Sequence, residues 1–108
     1  MLPLHHAIEH TDERAVTALL QAGADTNQPD PELGGFRPLH LAVDVECEDS
    51  CRRYDNGDHE ARPQATITRL LLDAGADPDL LDGNGRTVRT MAIERMHLEA
   101  VELFRGET

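Results

Sequence analysis

Two short motifs recur in the same order along the 108-residue chain, and this internal repeat constrains the fold more than any other feature. PLHHAI at residues 3–8 matches PLHLAV at 38–43, and AGADTN at 22–27 matches AGADPD at 74–79. Between the two motifs of each copy, apolar residues recur at the spacing of an α-helix. Each copy therefore predicts a helix, a turn, a second helix and a loop.

A third copy of the repeat is degenerate. The segment GRTVRTMAIERMHLEAVELF at 85–104 keeps the apolar spacing but has Val88, Arg89 and Thr90 where the earlier copies have Pro, Leu and His. Terminal repeats are commonly atypical because they face solvent on one side. Since the chain has only two Phe, one Tyr and no Trp, aliphatic residues must pack its core, which favours helices in close contact.

In its PLHLA run at 38–42, its AGAD turns and their order, the chain resembles the ankyrin-repeat family, whose repeat is about 33 residues long. The resemblance implies an all-α fold, a solenoid of about three helix-turn-helix units with connecting β-turn loops. It implies one domain, with repeat 1 at about 1–29, repeat 2 at about 30–79 and repeat 3 at about 80–108. It also implies a non-enzymatic module that binds another protein.

The motif residues have structural roles in this interpretation. Gly23 and Gly75 follow the second helices, where a residue in the left-handed conformation is favoured. For His5 and His40 we favour a side chain that bridges backbone groups over a catalytic role. These residues therefore predict the fold and not a reaction.

An insertion distinguishes repeat 2 from repeat 1. Pro3 and Asp25 are 22 positions apart, whereas Pro38 and Asp77 are 39 apart, so repeat 2 carries 17 extra residues. We place them at about 46–63, between the first and second helices, and expect a loop. Loops of this length are usually either functional or disordered.

The segment 44–60, which overlaps the insertion, is strongly acidic, with seven carboxylates against two arginines. The carboxylates belong to Asp44, Glu46, Glu48, Asp49, Asp55, Asp58 and Glu60. We favour recognition over disorder because Tyr54 is an aromatic residue of the kind that anchors interfaces. Residues 55–57, with the sequence DNG, predict a turn, and Pro63 ends any helix before it.

The insertion also contains Cys47, Cys51 and His59, three side chains able to bind zinc. Their C-x3-C spacing is loose and no clear fourth ligand follows. The two cysteines are too few for a disulfide framework, and residues 55–58 match only part of a calcium loop, with its ligands out of register. We therefore predict no metal site and no cofactor.

The resemblance places a binding surface on the inner face of the first helices and on the loop tips. The predicted helix residues are Glu9, His10, Asp44, Val45, Glu94 and Arg95, and the tip residues include Leu33, Phe36 and Arg86. The acidic residues of the insertion and Tyr54 extend this surface. Phe36 is the strongest candidate, because an aromatic side chain at an exposed tip gains most from burial in a partner. The alternative is that Phe36 folds back over the adjacent helix.

The formal charge is −11, from 21 acidic and 10 basic residues. This charge repels phosphate groups, so we predict neither nucleic acid nor membrane as a partner. A protein with a basic surface is the partner of matching sign, and we expect no small-molecule ligand; solubility alone is the other explanation of the acidity. The chain has no apolar stretch of membrane-spanning length and its first residues lack a signal-peptide pattern, which predicts a cytoplasmic location.

Common catalytic signatures, such as G-x-S-x-G, G-x-x-x-x-G-K-[ST] and H-E-x-x-H, do not occur, and we predict that the chain is not an enzyme. Our first hypothesis is an acidic, bacterial inhibitor or immunity-type protein that masks a basic surface of a toxin or an enzyme. The alternative is a scaffold or adaptor protein, or a fragment of a longer ankyrin-repeat protein. A metal-responsive module built on Cys47, Cys51 and His59 is a third hypothesis.

Overall fold

The computed structural model describes residues 2–106, which form six α-helices and one short 3-10 helix. The α-helices are α1 (Pro3–Glu9), α2 (Glu13–Gln21), α3 (Pro38–Asp55), α4 (Thr66–Asp73), α5 (Val88–Glu94) and α6 (Leu98–Gly106), and the 3-10 helix is Pro31–Leu33. No strand forms within residues 2–106; two isolated antiparallel bridges join Asp30 to Phe36 and Leu81 to Thr87. The predicted all-α class is confirmed.

The helices are arranged as three pairs that stack side by side. The first helices form one row, in which α3 contacts both α1 and α5, and the second helices form another, in which α4 contacts α2 and α6. The buried core of the described residues consists mostly of aliphatic side chains, with Cys47, Met91 and one aromatic, Phe104. Ile8, Val16, Val43, Leu71 and Val88 lie within it with no exposed surface. No single pair covers its own apolar face, so each depends on its neighbour.

The two predicted turn glycines are in the left-handed conformation. Gly23 has φ +92° and Gly75 has φ +97°, each two residues after a second helix. A side chain at such a φ is strained, whereas glycine adopts it readily. Both predictions from the AGAD motif are confirmed.

His5 and His40 each link a repeat to the loop that follows it by one hydrogen bond. Nδ1 of both rings is buried and has no hydrogen-bond partner among the described residues, so the predicted bridge between backbone groups is reduced to one contact for each ring. His5 Nε2 lies 2.9 Å from the Phe36 carbonyl oxygen, and His40 Nε2 lies 3.0 Å from that of Arg86. Because a carbonyl oxygen only accepts, Nε2 carries the proton in both rings. In the third repeat the corresponding residue is Thr90, which is exposed and whose hydroxyl lies 3.1 Å from that of Thr87. Repeat 3 therefore lacks this link.

The insertion is only partly the loop that we expected. Its first residues continue α3 to Asp55, so 46–55 is helical, and the prediction of a loop is wrong there. In repeats 1 and 3 a residue with positive φ lies two positions after the end of the first helix, Thr11 at +51° and Met96 at +57°. Glu46 occupies the equivalent position and stays helical, so the chain does not turn. The predicted DNG turn follows, with Gly57 at φ +107°.

The loops between repeats pack backbone against backbone. The Gly83 amide donates a hydrogen bond to the Gly34 carbonyl oxygen at 3.1 Å. A Cβ atom added to Gly83 would lie 2.1 Å from that oxygen, and one added to Gly35 would lie 2.8 Å from the Gly83 nitrogen. Only residues without side chains permit this approach.

We expect Gly83→Ala to destabilise the fold because its methyl group forces the two loops apart. The free energy of unfolding should fall by about 1–3 kcal/mol, the usual cost of an added group in a closely packed site. Urea denaturation followed by circular dichroism measures it. Asn84→Ala, at the exposed neighbouring position, is the matched control and should change stability by less than about 0.5 kcal/mol. Equal stability of both variants would contradict the close approach.

His40 makes stability depend on pH. Burial lowers the pKa of His40 from its ordinary 6.5, despite the Arg86 carbonyl and the charge of Asp82, which act in the opposite direction. A base whose pKa is lower in the folded state takes up its proton more readily when unfolded. The stabilisation is therefore complete above pH 6.5 and declines as the pH falls below it.

We expect His40→Gln to flatten the dependence of unfolding free energy on pH between about 6.5 and 5.5, a window above the range where most carboxylates titrate. The measurement is urea denaturation at several pH values, with His6→Gln at an exposed position as control. An unchanged slope in His40→Gln would show that protonation of His40 does not contribute.

Candidate functional site

The predicted surface on the first helices is largely exposed, with one exception. Glu9, His10 and Glu94 are exposed, and Asp44 is half-buried. Val45, however, is 3% exposed because it packs into the hydrophobic core. Val45 is therefore removed from the predicted binding surface.

Two arginines of this surface are paired with carboxylates of the chain. Arg95 donates a hydrogen bond to Asp44, which ties α5 to α3 across the stack. Burial lowers the pKa of Arg95, but the hydrogen bond and the charge of Asp44 outweigh it and raise the pKa. Arg86 lies 3.1 Å from Glu94, with about half of the Glu94 side chain exposed. Both basic side chains are thus neutralised, and the surface keeps its acidic character.

Glu46 is buried, and its predicted place on the binding surface is wrong. Only 6% of the residue is exposed. Its Oε2 accepts hydrogen bonds from the Ile67 and Thr68 amides at 3.0 and 3.1 Å, and its Oε1 accepts one from the Thr68 hydroxyl at 2.7 Å. The ring of His97 also donates to Oε1, at 2.8 Å. Glu46 therefore caps the N-terminus of α4.

The same backbone amide is capped in all three repeats, by different means. In α2 the Ala15 amide donates to Asp12, three residues earlier, and in α6 the Ala100 amide donates to His97 Nδ1. The equivalent amide in α4 is that of Ile67, and its acceptor Glu46 is 21 residues earlier. A helix N-terminus needs such acceptors because its first amides have no partner within the helix.

Sequence reasoning missed this network of Glu46, Thr68 and His97. One signal was present: Ala65, the residue before α4, has no side chain able to cap a helix. That absence predicts an acceptor from elsewhere in the chain. It does not identify Glu46, because the segment 44–60 offers seven carboxylates and only the direction of α3 selects one.

Apart from the buried Cys47 and Ser50, the rest of the insertion is partly or fully exposed, and its acidic side chains are accessible. Glu48, Asp55, Asp58 and Glu60 are exposed, and half of the Asp49 side chain is exposed beside Arg53 at 3.3 Å. Arg53 also donates to the Arg62 carbonyl oxygen at 3.0 Å, which holds the returning segment against α3. The insertion is therefore an acidic projection built from the end of α3 and the segment that returns along it.

Tyr54, the predicted anchor of the insertion, is 50% exposed. Its ring contacts that of His59 edge to face, with centroids 4.9 Å apart. The His59 ring holds the turn against the end of α3. Tyr54 thus lies where a partner can reach it.

The loop-tip aromatic Phe36 points inward, which is the alternative that the sequence left open. Phe36 and Leu33 are partly buried and pack against the core, and the Phe36 ring stacks on His40 with centroids 5.8 Å apart. The backbone of Phe36 is also held by Asp30 and His5. The prediction that Phe36 is an exposed anchor is wrong, because the ring covers the start of α3.

The thiols of the insertion lie in different environments. Cys47 is buried and Cys51 is exposed, and both are free. Burial is the main cause that raises the pKa of Cys47 to about 11. Among residues 2–106, no group of three or more His, Cys, Asp or Glu side chains is arranged to hold a metal ion. In the same part of the chain, no helix combines the length and apolar character that crossing a bilayer requires.

Comparison with known proteins identifies the first repeat as an ankyrin repeat. The family model for the ankyrin repeat matches residues 1–31. Among the relatives, human 2-5A-dependent ribonuclease is 37% identical over 81 residues, 75% of this chain and 8% of that protein. The BTB/POZ domain and ankyrin repeat-containing protein NPR5 of Oryza sativa subsp. japonica is 33% identical over 87 residues, 80% of this chain and 14% of that protein.

A third relative matches nearly the whole chain. Potassium channel AKT1 of Oryza sativa subsp. indica is 30% identical over 100 residues, 93% of this chain and 9% of that protein. The chain thus spans 8% to 14% of the length of these three relatives. The similarity is to one segment of each larger protein.

We expect Glu46→Ala to lower the free energy of unfolding by about 2–4 kcal/mol, because it leaves buried donors on α4 and His97 without an acceptor. Glu48→Ala, two residues along the same helix and exposed, removes the same charge and should change stability by less than about 0.5 kcal/mol. Denaturation in urea compares the two. A cost of Glu46→Ala no greater than that of Glu48→Ala would refute the capping role.

Proposed function

The chain belongs to the ankyrin-repeat family, a family of non-enzymatic protein-binding modules, and we propose that it acts as an acidic inhibitor that covers a basic surface of a toxin or an enzyme. The observation that carries this proposal is the exposed acidic projection. Four carboxylates, those of Glu48, Asp55, Asp58 and Glu60, lie at its surface.

The partner contacts we propose are electrostatic around an aromatic centre. Tyr54 lies next to Asp55 at the end of α3 and is half exposed. A tyrosine buried at the middle of an interface supplies much of the affinity, while surrounding charges raise the association rate and exclude partners of the wrong sign. The net charge of −11 favours encounter with a basic protein.

The first helices extend this surface in the proposal. Glu9 and Glu94 are exposed on α1 and α5, and Arg95 is neutralised by Asp44. A basic partner seated there meets carboxylates on both sides of α3. We propose a cytoplasmic location, which the free thiols of Cys47 and Cys51 support.

A second candidate function is that of a scaffold or adaptor. The supporting observation is that the chain spans only 8% to 14% of the three relatives, each of which carries the similar segment within a much longer protein. In this role the domain holds a partner in place and inhibits nothing.

The test begins with capture of the partner from the native lysate and compares two doubly neutralised variants. Asp55→Asn with Glu60→Gln removes two charges from the projection. Asp25→Asn with Asp73→Asn removes two exposed charges elsewhere, so both variants have the same net charge. We expect the first pair to weaken binding about tenfold or more at low salt, with a smaller dependence on salt concentration, and the second to change it little.

Two outcomes separate the proposals. Loss of the partner's activity on binding supports the inhibitor, whereas full activity of the bound partner supports the scaffold. Equal weakening by both variants would show that net charge, and not the acidic projection, governs binding.

A further inference from the structure

The chain has six histidines, and four of them have a partner within the fold. His5 and His40 donate to the loop after their repeat, His97 donates to Glu46, and the ring of His59 contacts Tyr54. The other two, His6 and His10, are exposed. Within residues 2–106 their rings contact each other and form no hydrogen bond or ion pair. Their nitrogen lone pairs are therefore available to a ligand.

His6 and His10 are one helical turn apart. The His10 amide donates to the His6 carbonyl oxygen at 3.2 Å, so the helical spacing continues to His10, the residue that follows α1. Residues at i and i+4 lie on the same face of a helix. The two imidazole rings are in contact, with centroids 4.5 Å apart and an angle of 60° between their planes. Both rings are thus presented side by side.

Both rings line one groove on the side of α1 and α2 that faces away from α3. The groove has a volume of roughly 560 Å³ and is otherwise lined mainly by apolar side chains, such as Ala7 and Leu19. It is large enough for an ion with several water molecules, each of which occupies about 30 Å³ in the liquid. Asp12 also lines the groove, and its carboxylate favours a cation there.

Two imidazoles on one turn of a helix form a chelating pair. Neutral imidazole is a good ligand for Zn²⁺, Ni²⁺ and Cu²⁺, and two histidines at i and i+4 are the arrangement with which a single helix binds zinc. Once one ring has bound the ion, the other is held at a high effective concentration, so the pair binds more tightly than one histidine. The net charge of −11 attracts a cation as well.

The pair supplies two ligands and no more. Among residues 2–106, no group of three or more His, Cys, Asp or Glu side chains is arranged to hold a metal ion. A structural zinc site has four protein ligands and a catalytic zinc site has three. An ion bound by two imidazoles keeps its other positions for water, so it exchanges with the solvent and does not hold the fold together.

The insertion offers a poorer set of ligands. Cys47 is buried, and burial raises its pKa to about 11, which disfavours the thiolate that binds metal. His59 packs its ring against Tyr54. Cys51 is exposed but has no paired ligand of the kind that His6 and His10 provide for each other. The histidine pair is therefore the better site.

We propose that His6 and His10 bind one exchangeable divalent transition-metal ion of the class of Zn²⁺, Ni²⁺ and Cu²⁺. The ion joins the two rings and completes its coordination with water in the groove. His10, which the sequence placed on a protein-binding surface, acquires a second role. The proposal does not rest on the inhibitor function, because other residues form the acidic projection.

The probe is Zn²⁺ alone, added as its chloride to the purified chain in a buffer without chelators. Isothermal titration calorimetry measures affinity and stoichiometry, and imidazole and amide chemical shifts locate the ion. We expect one ion per chain, with shifts confined to α1 and the groove. His6→Ala and His10→Ala should each weaken the affinity about tenfold or more, because each leaves a single ligand. Both positions are exposed, so the variants should fold.

The matched control is Cys51→Ser with His59→Ala, which removes the two exposed metal ligands of the insertion and should leave the affinity unchanged. Loss of binding in this control would place the ion at the insertion and overturn the proposal. Equal binding by the wild-type chain and His6→Ala would also overturn it, because it would show an adventitious ion only. Half an ion per chain, with a dimer in analytical ultracentrifugation, would contradict a site formed by one chain.

Mg²⁺ provides a second control without any substitution. It prefers oxygen ligands and binds imidazole poorly, so at the same concentration it should not shift the resonances of His6 and His10. Equal shifts with Mg²⁺ and Zn²⁺ would show that the carboxylates attract cations without chelation, which would overturn the proposal. None of these measurements uses the residues or the partner on which the inhibitor proposal depends.

Discussion

The carboxylate of Glu46 accepts hydrogen bonds from two backbone amides, one hydroxyl and one imidazole, and the positions of two later helices depend on it. A carboxylate buried without partners would be strongly destabilising, so its burial is tolerated only when these donors converge. In this position Glu46 caps the N-terminus of α4, which Ala65 cannot do because it has no hydrogen-bonding side chain. His97, held through Nε2, uses its Nδ1 to accept from the Ala100 amide of α6. One side chain on α3 thus specifies where α4 and α6 begin.

The insertion consequently has an inner and an outer role. Its inner side provides Glu46 and the buried Ser50, whose hydroxyl donates to the Cys47 carbonyl oxygen at 2.9 Å. Its outer side presents Tyr54 and the remaining carboxylates. A helix can be extended to form such a projection without a partner strand or loop, because its backbone hydrogen bonds are satisfied within the helix. Part of the acidic surface is therefore presented by a helix, and Asp58 and Glu60 lie in the segment after it.

The stack is also directional. Both ends belong to helical pairs of the same kind. The groove beside α1 is lined by His6 and His10 among mainly apolar residues, and the end at α5 and α6 exposes Ile93. Repeat stacking buries a continuous apolar core, and whichever end remains apolar extends that core to the surface. Because each repeat presents the same apolar interface, the outer face of α5 and α6 carries residues of the kind that are buried elsewhere in the stack. The acidic projection and this apolar end are separate surfaces with different physical bases, one electrostatic and one hydrophobic.

The sequence alone determined the number and order of the helical pairs, the helix-ending glycines, the structural roles of His5 and His40 and the acidic character. These features depend on residues within one repeat or on a motif that recurs, and such local patterns can be recognised in the sequence alone. Only the tertiary structure decided that α3 continues past Glu46, that Glu46 and Val45 are interior, and that Phe36 turns inward. Each of these depends on partners far along the chain: Glu46 meets donors 21 to 51 residues away, and Phe36 covers a helix whose position depends on its neighbours. The exposure of a carboxylate cannot be inferred from its residue type, because a carboxylate can be buried where hydrogen-bond donors surround it. For this reason the acidic segment was predicted as one surface, whereas in the structure Glu46 is buried and the other carboxylates are at least partly exposed.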